Sequence, residues 1–253
     1  MNRHIINTPG LVHHSGSLRW PGIFILCAGL VLFSGLIRAQ TVVIAENVEQ
    51  QSEKSRYGMG RLHYRHLYMG FGFAAGSPLQ SGAELVNRRS PMLEYGMRYR
   101  LQYASFLALG ADLGLRRQSW FIRQQAGKRI PDTLAYDKEK LVFVALQGAV
   151  YQRIHFGARG DHIGRFADLG VFSQWFFHQR HVTHENTGNQ SVRIRRIGLD
   201  YAENLSYGLF ARIGYQNLAL KLQYRLSEAF VSSFDLPEPS PWHISLEIGF
   251  HPM

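Results

Sequence analysis

The sequence is short of the residues that define several protein classes. It holds one cysteine, Cys27, in 253 residues, too few for a disulfide-stapled scaffold. Charged residues make up only 18% against 45% hydrophobic, and a chain of that balance buries enough apolar surface to fold, which excludes intrinsic disorder. The 25 glycines follow no three-residue period, which excludes collagen. No apolar run reaches the roughly 20 residues that a membrane-spanning helix needs. After residue 40 no helical periodicity competes with a period of two.

Acid is the scarcer sign, with 18 Asp and Glu against 28 Lys and Arg and a formal charge of +10. A basic surplus directs attention to anionic partners, and the N-terminus helps to choose among them. Arg3 and Arg19 sit in a start without acid, residues 22–37 are almost wholly apolar, and Arg38-Ala39-Gln40 follows. That order predicts a secretory signal peptide over residues 1–39, cleaved between Ala39 and Gln40. Cys27 lies inside the apolar stretch after Leu26, not after a small residue, which argues against a lipoprotein site. Cleavage removes three basic residues and the only cysteine, so a mature chain of 214 residues carries +7 and uses neither disulfide nor thiol chemistry.

After a polar segment at 40–62, the chain repeats one unit: about ten residues of alternating apolar and polar side chains, then turn chemistry. Period two over that length predicts strands, and eight runs are present. In one, Leu93, Tyr95, Met97, Tyr99, Leu101 and Tyr103 alternate with Glu94, Gly96, Arg98, Arg100 and Gln102. In the last, Trp242, Ile244, Leu246, Ile248 and Phe250 alternate with His243, Ser245, Glu247 and Gly249. The others begin near Leu67, Leu107, Val142, Leu169, Leu205 and Leu218; in the run at 168–178, Phe172 and Phe176 break the polar face.

Alternation alone does not say which face points inward. A soluble lipocalin-like ligand carrier turns the apolar face in, a membrane barrel turns it out. Three features favour the membrane. Connections alternate long (77–90, 116–139, 179–203, 228–240) and short (near Ser105, 157–165, Gln216-Asn217), as in outer-membrane barrels. The polar face mixes glycines with charges, which suits a crowded interior better than a solvent face. Tyr95, Tyr103, Trp175, Phe177, Tyr215, Trp242 and Phe250 fall at strand ends, where aromatic girdles lie. The expected fold is all-β: an eight-stranded antiparallel up-and-down transmembrane β-barrel over residues 63–253, multi-pass in the cell outer membrane, with 40–62 as an N-terminal periplasmic segment.

The Ala39-Gln40 junction, the opening strand 66–76 (HLYMGFGFAAG), the segment 160–175 (GDHIGRFADLGVFSQW) and a last strand ending at Phe250 resemble the small outer-membrane β-barrel proteins of Bacteroidota, a group that includes PorT-like proteins. The chain departs from the usual terminal aromatic by ending His251-Pro252-Met253. The resemblance implies an outer-membrane location and insertion by the barrel-assembly machinery; some relatives assist type IX secretion.

An eight-stranded barrel is just wide enough for its side chains, so general porin activity is not expected. Arg98, Arg100, Arg153, Arg212, Lys221 and Arg225 face the same interior as Glu94, Asp112, Asp168 and Glu247, and are expected to form a charge-paired plug, since buried charges persist when paired. A narrow anion path through them is the competing use. His243, Ser245 and Glu247 supply a base, a hydroxyl and a carboxylate on one strand face, the groups of a nucleophilic triad. Alternate residues of a strand stand about 6.6 Å apart, so contact would need convergent rotamers. The His-x-Ser pair faintly resembles that of outer-membrane lipid A deacylases, but no Asn-x-Gly follows. A lipid-modifying hydrolase is thus an alternative to a non-catalytic role, and no catalytic residue is expected. His178, His181 and His184, with Glu185, could offer imidazoles to zinc or copper; period three does not place them on one strand face, and neither a metal nor a cofactor is expected. Arg159-Gly160-Asp161 matches an integrin-binding tripeptide on a short turn, where chance explains it better. Two long connections are basic, one with Arg116, Arg117, Arg123, Lys128 and Arg129, the other with Arg180, Arg193, Arg195 and Arg196. At the membrane surface they suit phosphate-bearing outer-membrane lipids or a protein partner. Nucleic acid, which a cell-surface barrel rarely meets, is not expected.

Overall fold

A computed structural model describes residues 58–157, 162–187 and 190–250. The expected signal peptide, its Ala39-Gln40 junction, most of 40–62 and Arg159-Gly160-Asp161 lie outside the described residues. Nine strands follow in chain order among the described residues: β1 (His63–Ala75), β2 (Pro91–Gln102), β3 (Leu107–Phe121), β4 (Lys138–Phe156), β5 (Arg165–Thr187), β6 (Gln190–Ile197), β7 (Leu205–Tyr215), β8 (Leu218–Arg225) and β9 (Trp242–Phe250). They lie antiparallel in the order β4-β3-β2-β1-β9-β8-β7-β5, and β4 pairs with β5 as well. Eight strands therefore close into a ring, and no ring strand is left with an open edge along its whole length. β6 stands outside the ring and folds back along the far half of β5, pairing Arg180 with Ile197 and Thr187 with Gln190.

Connections at one end of the ring are short. β7 and β8 meet through Gln216-Asn217 alone, with Gln216 at a φ of 51°, a left-handed first position that two-residue hairpins usually give to glycine. The other end carries the long connections. There β3, β4 and β5 run further than the alternation predicted, because their polar face continues through Arg116, Gln118, Glu139 and His181 while their other face turns basic. The expected loops at 116–139 and 179–203 are corrected accordingly: much of each is strand, and β6 was not anticipated.

The period of two sorts the side chains by polarity. Glu94, Arg100, Arg153, Arg212 and Glu247 are each about 1% exposed inside the ring, whereas Leu113, Val150 and Leu246 are more than half exposed on its outer face. The inside is filled from end to end. Tyr64, Ile163, Phe166 and Ala219 pack near the short turns, charged residues follow, and Ala149, Tyr151, Phe172 and Phe210 form an aromatic layer. Leu85, Trp120, Ile130, Leu141, Phe143, Phe176, Leu199 and Phe230 close the long-loop end. Phe172 and Phe176, irregular in the sequence pattern, thus belong to interior apolar layers. Glycine provides the room: a Cβ at Gly110 would fall 2.0 Å from the Tyr151 ring, so the large ring lies across a residue without a side chain. Two interior cavities among the described residues measure about 20 and 10 Å³, each on the scale of a single water.

Candidate functional site

Four carboxylates and four cations from seven of the eight ring strands form one buried chain of ion pairs. Arg98 donates to both oxygens of Asp112 at 3.0 Å and to Glu247 Oε2 at 2.7 Å. Arg212 reaches Asp168 at 2.8 Å, Asp112 at 3.1 Å and Glu247 at 2.9 Å. Arg153 holds Asp168 through Nε and Nη2 at 2.7 and 2.9 Å. Lys221 joins Glu94 and Glu247 at 3.0 and 2.9 Å. Register explains the convergence, because paired residues share a face: Arg98 stands opposite Asp112, Arg153 opposite Asp168, Asp168 opposite Arg212 and Gly70 opposite Glu247. Neutral groups complete the set. Tyr68 and Gln147 each donate to Glu94 at 2.7 Å, and the Arg153 and Arg98 guanidinia lie 3.7 and 4.4 Å from the Phe166 and Tyr68 ring centres. Fork-shaped guanidinium pairing supplies directional, charge-assisted bonds where water does not compete.

Two of the six expected interior cations leave this chain. Arg100 bonds the Met59 carbonyl and faces the Tyr64 ring; Arg225 bonds Glu238 at 2.9 Å, a carboxylate brought in by the last long connection. A seventh, Arg116, was expected in a loop and is fully buried instead. It donates to Gln147 and Gln223 and, among the described residues, has no carboxylate at ion-pair distance. The alternation of β3 carries on through Gly114, Arg116 and Gln118; Arg117 beside it masked that signal. His243, Ser245 and Glu247 are all buried inside the ring. Glu247 is taken by three cations, no hydrogen bond joins it to His243 or Ser245, and Ser245 packs beside Gly72. The three residues share a face, as expected of alternate positions, and do not form a relay.

The histidines separate. His181 points inward, where its Nε2 meets Glu139 Oε1 at 2.7 Å, while Glu139 Oε2 takes Lys128 at 2.6 Å and Gln124 at 2.8 Å. Lys128, counted from sequence among the surface cations, is therefore buried, and it fastens the connection between β3 and β4 to the strand wall. His178 and His184 fall on the opposite face of β5, and no group of three metal-binding side chains occurs among the described residues.

That opposite face is the second candidate. Beyond the apolar band, the register aligns Arg117 with Val144 and His178, Lys140 with Val182 and Arg195, and Lys138 with His184 and Arg193; Arg180 lies between, paired with Val142 and Ile197. Arg117, Lys138, Lys140, Arg180, Arg193 and Arg195 thus share one outward face of β3, β4, β5 and β6. No Asp or Glu occupies a paired position on it. Burial and then Arg193, Arg117, Arg180 and Arg195 hold the Lys140 ammonium below the usual lysine range. Burial and then Arg193, Lys140, Lys138 and Arg195 likewise lower the His184 imidazole. Of the nine loop cations in the sequence, four join this face; Arg123 is exposed just past the end of β3, and Arg129 and Arg196 are exposed elsewhere.

Comparison of the chain with models of known protein families and with curated proteins finds no match.

Proposed function

We propose that the chain is an integral outer-membrane β-barrel with a side-chain-filled interior, non-catalytic, acting through its long-loop end. The observation that carries this reading is the inverted polarity of a closed ring: charges sealed inside, Leu, Val, Ile and aromatic side chains outside on every ring strand. In water such a surface would far exceed the few hundred Å² of apolar patch that soluble monomers tolerate, whereas lipid requires it. The outer face of β9 is apolar at alternate positions across all nine residues, about 27 Å of strand or 20 Å of height at a 40° tilt, close to the roughly 25 Å band of such barrels. Aromatic side chains crowd both margins of the band: Tyr99, Tyr103, Phe156, Tyr215 and Phe250 toward the short turns, Phe71, Trp175, Phe177, Tyr207 and Trp242 toward the long loops. In this reading the short turns face the periplasm and the long connections the exterior. The likeness to small Bacteroidota barrels, and insertion by the barrel-assembly machinery, belong to the same proposal.

Filled layers and cavities of water size argue for anchoring and interaction in place of transport. Membrane fractionation tests the proposal. The mature chain, beginning at Gln40, is expected in carbonate-resistant outer membrane and to migrate faster in detergent gels unboiled than boiled. Recovery from the soluble fraction with no heat-dependent shift would overturn it and favour a carrier or a protein-covered apolar face. Ser245→Ala is expected to leave lipid A acylation unchanged by mass spectrometry; a changed pattern would revive the hydrolase alternative.

A further inference from the structure

We propose that the outward cationic face of β3, β4, β5 and β6 is a binding site for the phosphorylated head group of an outer-leaflet lipid. The inference rests on the membrane reading, which sets this face against the leaflet, and it stands on three observations.

The first is charge. Six basic side chains share one face; none stands directly opposite another, but Lys140 and Arg195 each lie diagonal to Arg180, a spacing of about 7–8 Å that long side chains bridge. Like charges so placed repel, and no carboxylate on the face relieves them. Their depressive effect on Lys140 and His184 shows the same unneutralised field. Arg180 Nε is shielded from solvent without a hydrogen-bond partner, a donor held ready for an acceptor.

The second is height. The face begins where the apolar band ends: Arg117 follows Leu115 by one alternation, and Arg180 follows Phe177 by three residues. From there to Lys138 the strands rise about 15 Å, taking roughly 3.4 Å per residue and a 40° tilt. A phosphate at the top of an acyl layer meets the lower part of the face, and sugar-borne phosphates above it meet Lys138 and Arg193.

The third is an adjoining apolar cleft of about 330 Å³, lined by Phe71, Met92, Leu93 and Phe121, with Arg117 and Lys140 at its edge. Lys140 Nζ lies 5.2 Å from the Phe121 ring centre. A lipid bound here lays an acyl chain along Phe71 and Leu93 while its phosphate reaches Arg117 and Lys140, so tail and head find their chemistry within one site. A free polyanion uses only the upper part, which is why a lipid is the favoured occupant.

The test takes the full mature protein in phosphatidylethanolamine vesicles containing diphosphorylated lipid A, extracts it gently in detergent, and counts co-purifying lipid by native mass spectrometry. The wild type is expected to retain diphosphorylated lipid A. The variant Lys138→Gln, Lys140→Gln, Arg193→Gln, Arg195→Gln is expected to retain at least tenfold less, and the variant Arg129→Gln, Arg196→Gln, in which Arg196 stands opposite inward His181 and Arg129 lies in the connection beside Asp235, is expected to match the wild type. Inorganic phosphate at matched phosphate concentration is expected not to displace the lipid. Equal retention by the two variants, equal retention of fully dephosphorylated lipid, or displacement by inorganic phosphate or an acidic polysaccharide would each overturn the inference. Heat-dependent gel mobility of every sample keeps the arms separate: a protein that inserts but fails these comparisons refutes only this site, whereas one that never inserts refutes the membrane reading itself.

Discussion

The ring interior and the outward face of β3 to β6 use the same residue types in opposite electrostatic conditions. Inside, Arg98, Arg153, Arg212 and Lys221 each have a carboxylate at 2.7 to 2.9 Å. Outside, six cations share a face with none. The difference follows from what surrounds each set. Inside a closed ring packed with side chains, desolvation has to be offset by partners built into the chain. A surface can borrow its counter-charge from water, salt or lipid, so unpaired cations persist there at small cost. Interior charges accordingly serve folding, and outward ones are available for a partner.

The largest expected effect breaks the interior half of this contrast. Asp112→Ala leaves Arg98 without its two-pronged partner and Arg212 with one contact fewer, and is expected to cost about 3–5 kcal/mol, read as a lowered urea midpoint for the heat-modifiable form. Adding Arg98→Met removes the orphaned charge and is expected to recover part of the loss. A double variant no better than the single would mean that the pairing does not carry the cost.

Much of this interior was legible in the sequence, and the reason is geometric. A strict period of two fixes which residues share a face, so Glu94, Arg98, Arg153 and Glu247 could be grouped without knowing the register. What the period does not encode is where a strand ends when its outer face stops being apolar. Beyond Leu115 and Phe177 the outward positions turn basic, the contrast between faces disappears, and strand resembles loop. For that reason Arg116 and Lys128 were expected at the surface, and Lys138 and Lys140 drew no attention. Contacts such as Arg225 with Glu238 depend on how a long connection folds back, which no periodicity records. The irregularity at Phe172 and Phe176 was visible, but its cause, interior apolar layers, required the third dimension.

Intermediate effects sharpen the boundary between the two regions. Glu139→Gln keeps the shape but removes the charge that Lys128 and His181 meet, and is expected to cost about 1.5–3 kcal/mol, confined to the long-loop end. Limited proteolysis within 122–137 should speed up while the urea midpoint of the ring stays nearly unchanged; a full drop in midpoint would show that lock and ring unfold together. Glycines report on crowding. A Cβ at Gly170 would lie 2.3 Å from the Val150 carbonyl oxygen, whereas one at Gly148 meets nothing within 4 Å. Gly170→Ala is expected to lose about 1–3 kcal/mol, and Gly148→Ala, outward and unobstructed, to be neutral or slightly stabilising.

The smallest expected effect lies on the cationic face and has the opposite sign to the first. Replacing Lys138, Lys140, Arg193 and Arg195 with Gln removes like charges and no ion pair, so each change should alter stability by about 0.5 kcal/mol or less, toward a more stable protein. His184 gives a local reading. Burial, then Arg193 of β6, Lys140 and Lys138 of β4 and Arg195 of β6, hold its imidazole below the ordinary histidine value. A histidine depressed in the folded state binds fewer protons than in the unfolded chain, so its contribution to stability is present above the unfolded pKa and is lost as pH falls from there through the lower, folded-state pKa. Without the four cations, the His184 titration followed by NMR in micelles is expected to move up toward the ordinary value, and the acid-side loss of stability to shrink. With the cations in place, diphosphorylated lipid A should move it the same way, because a bound phosphate supplies the missing negative charge. An upward shift in the variant without one on adding lipid would mean that the face is cationic and empty, so that its charges, unlike the interior ones, meet no built-in or bound partner.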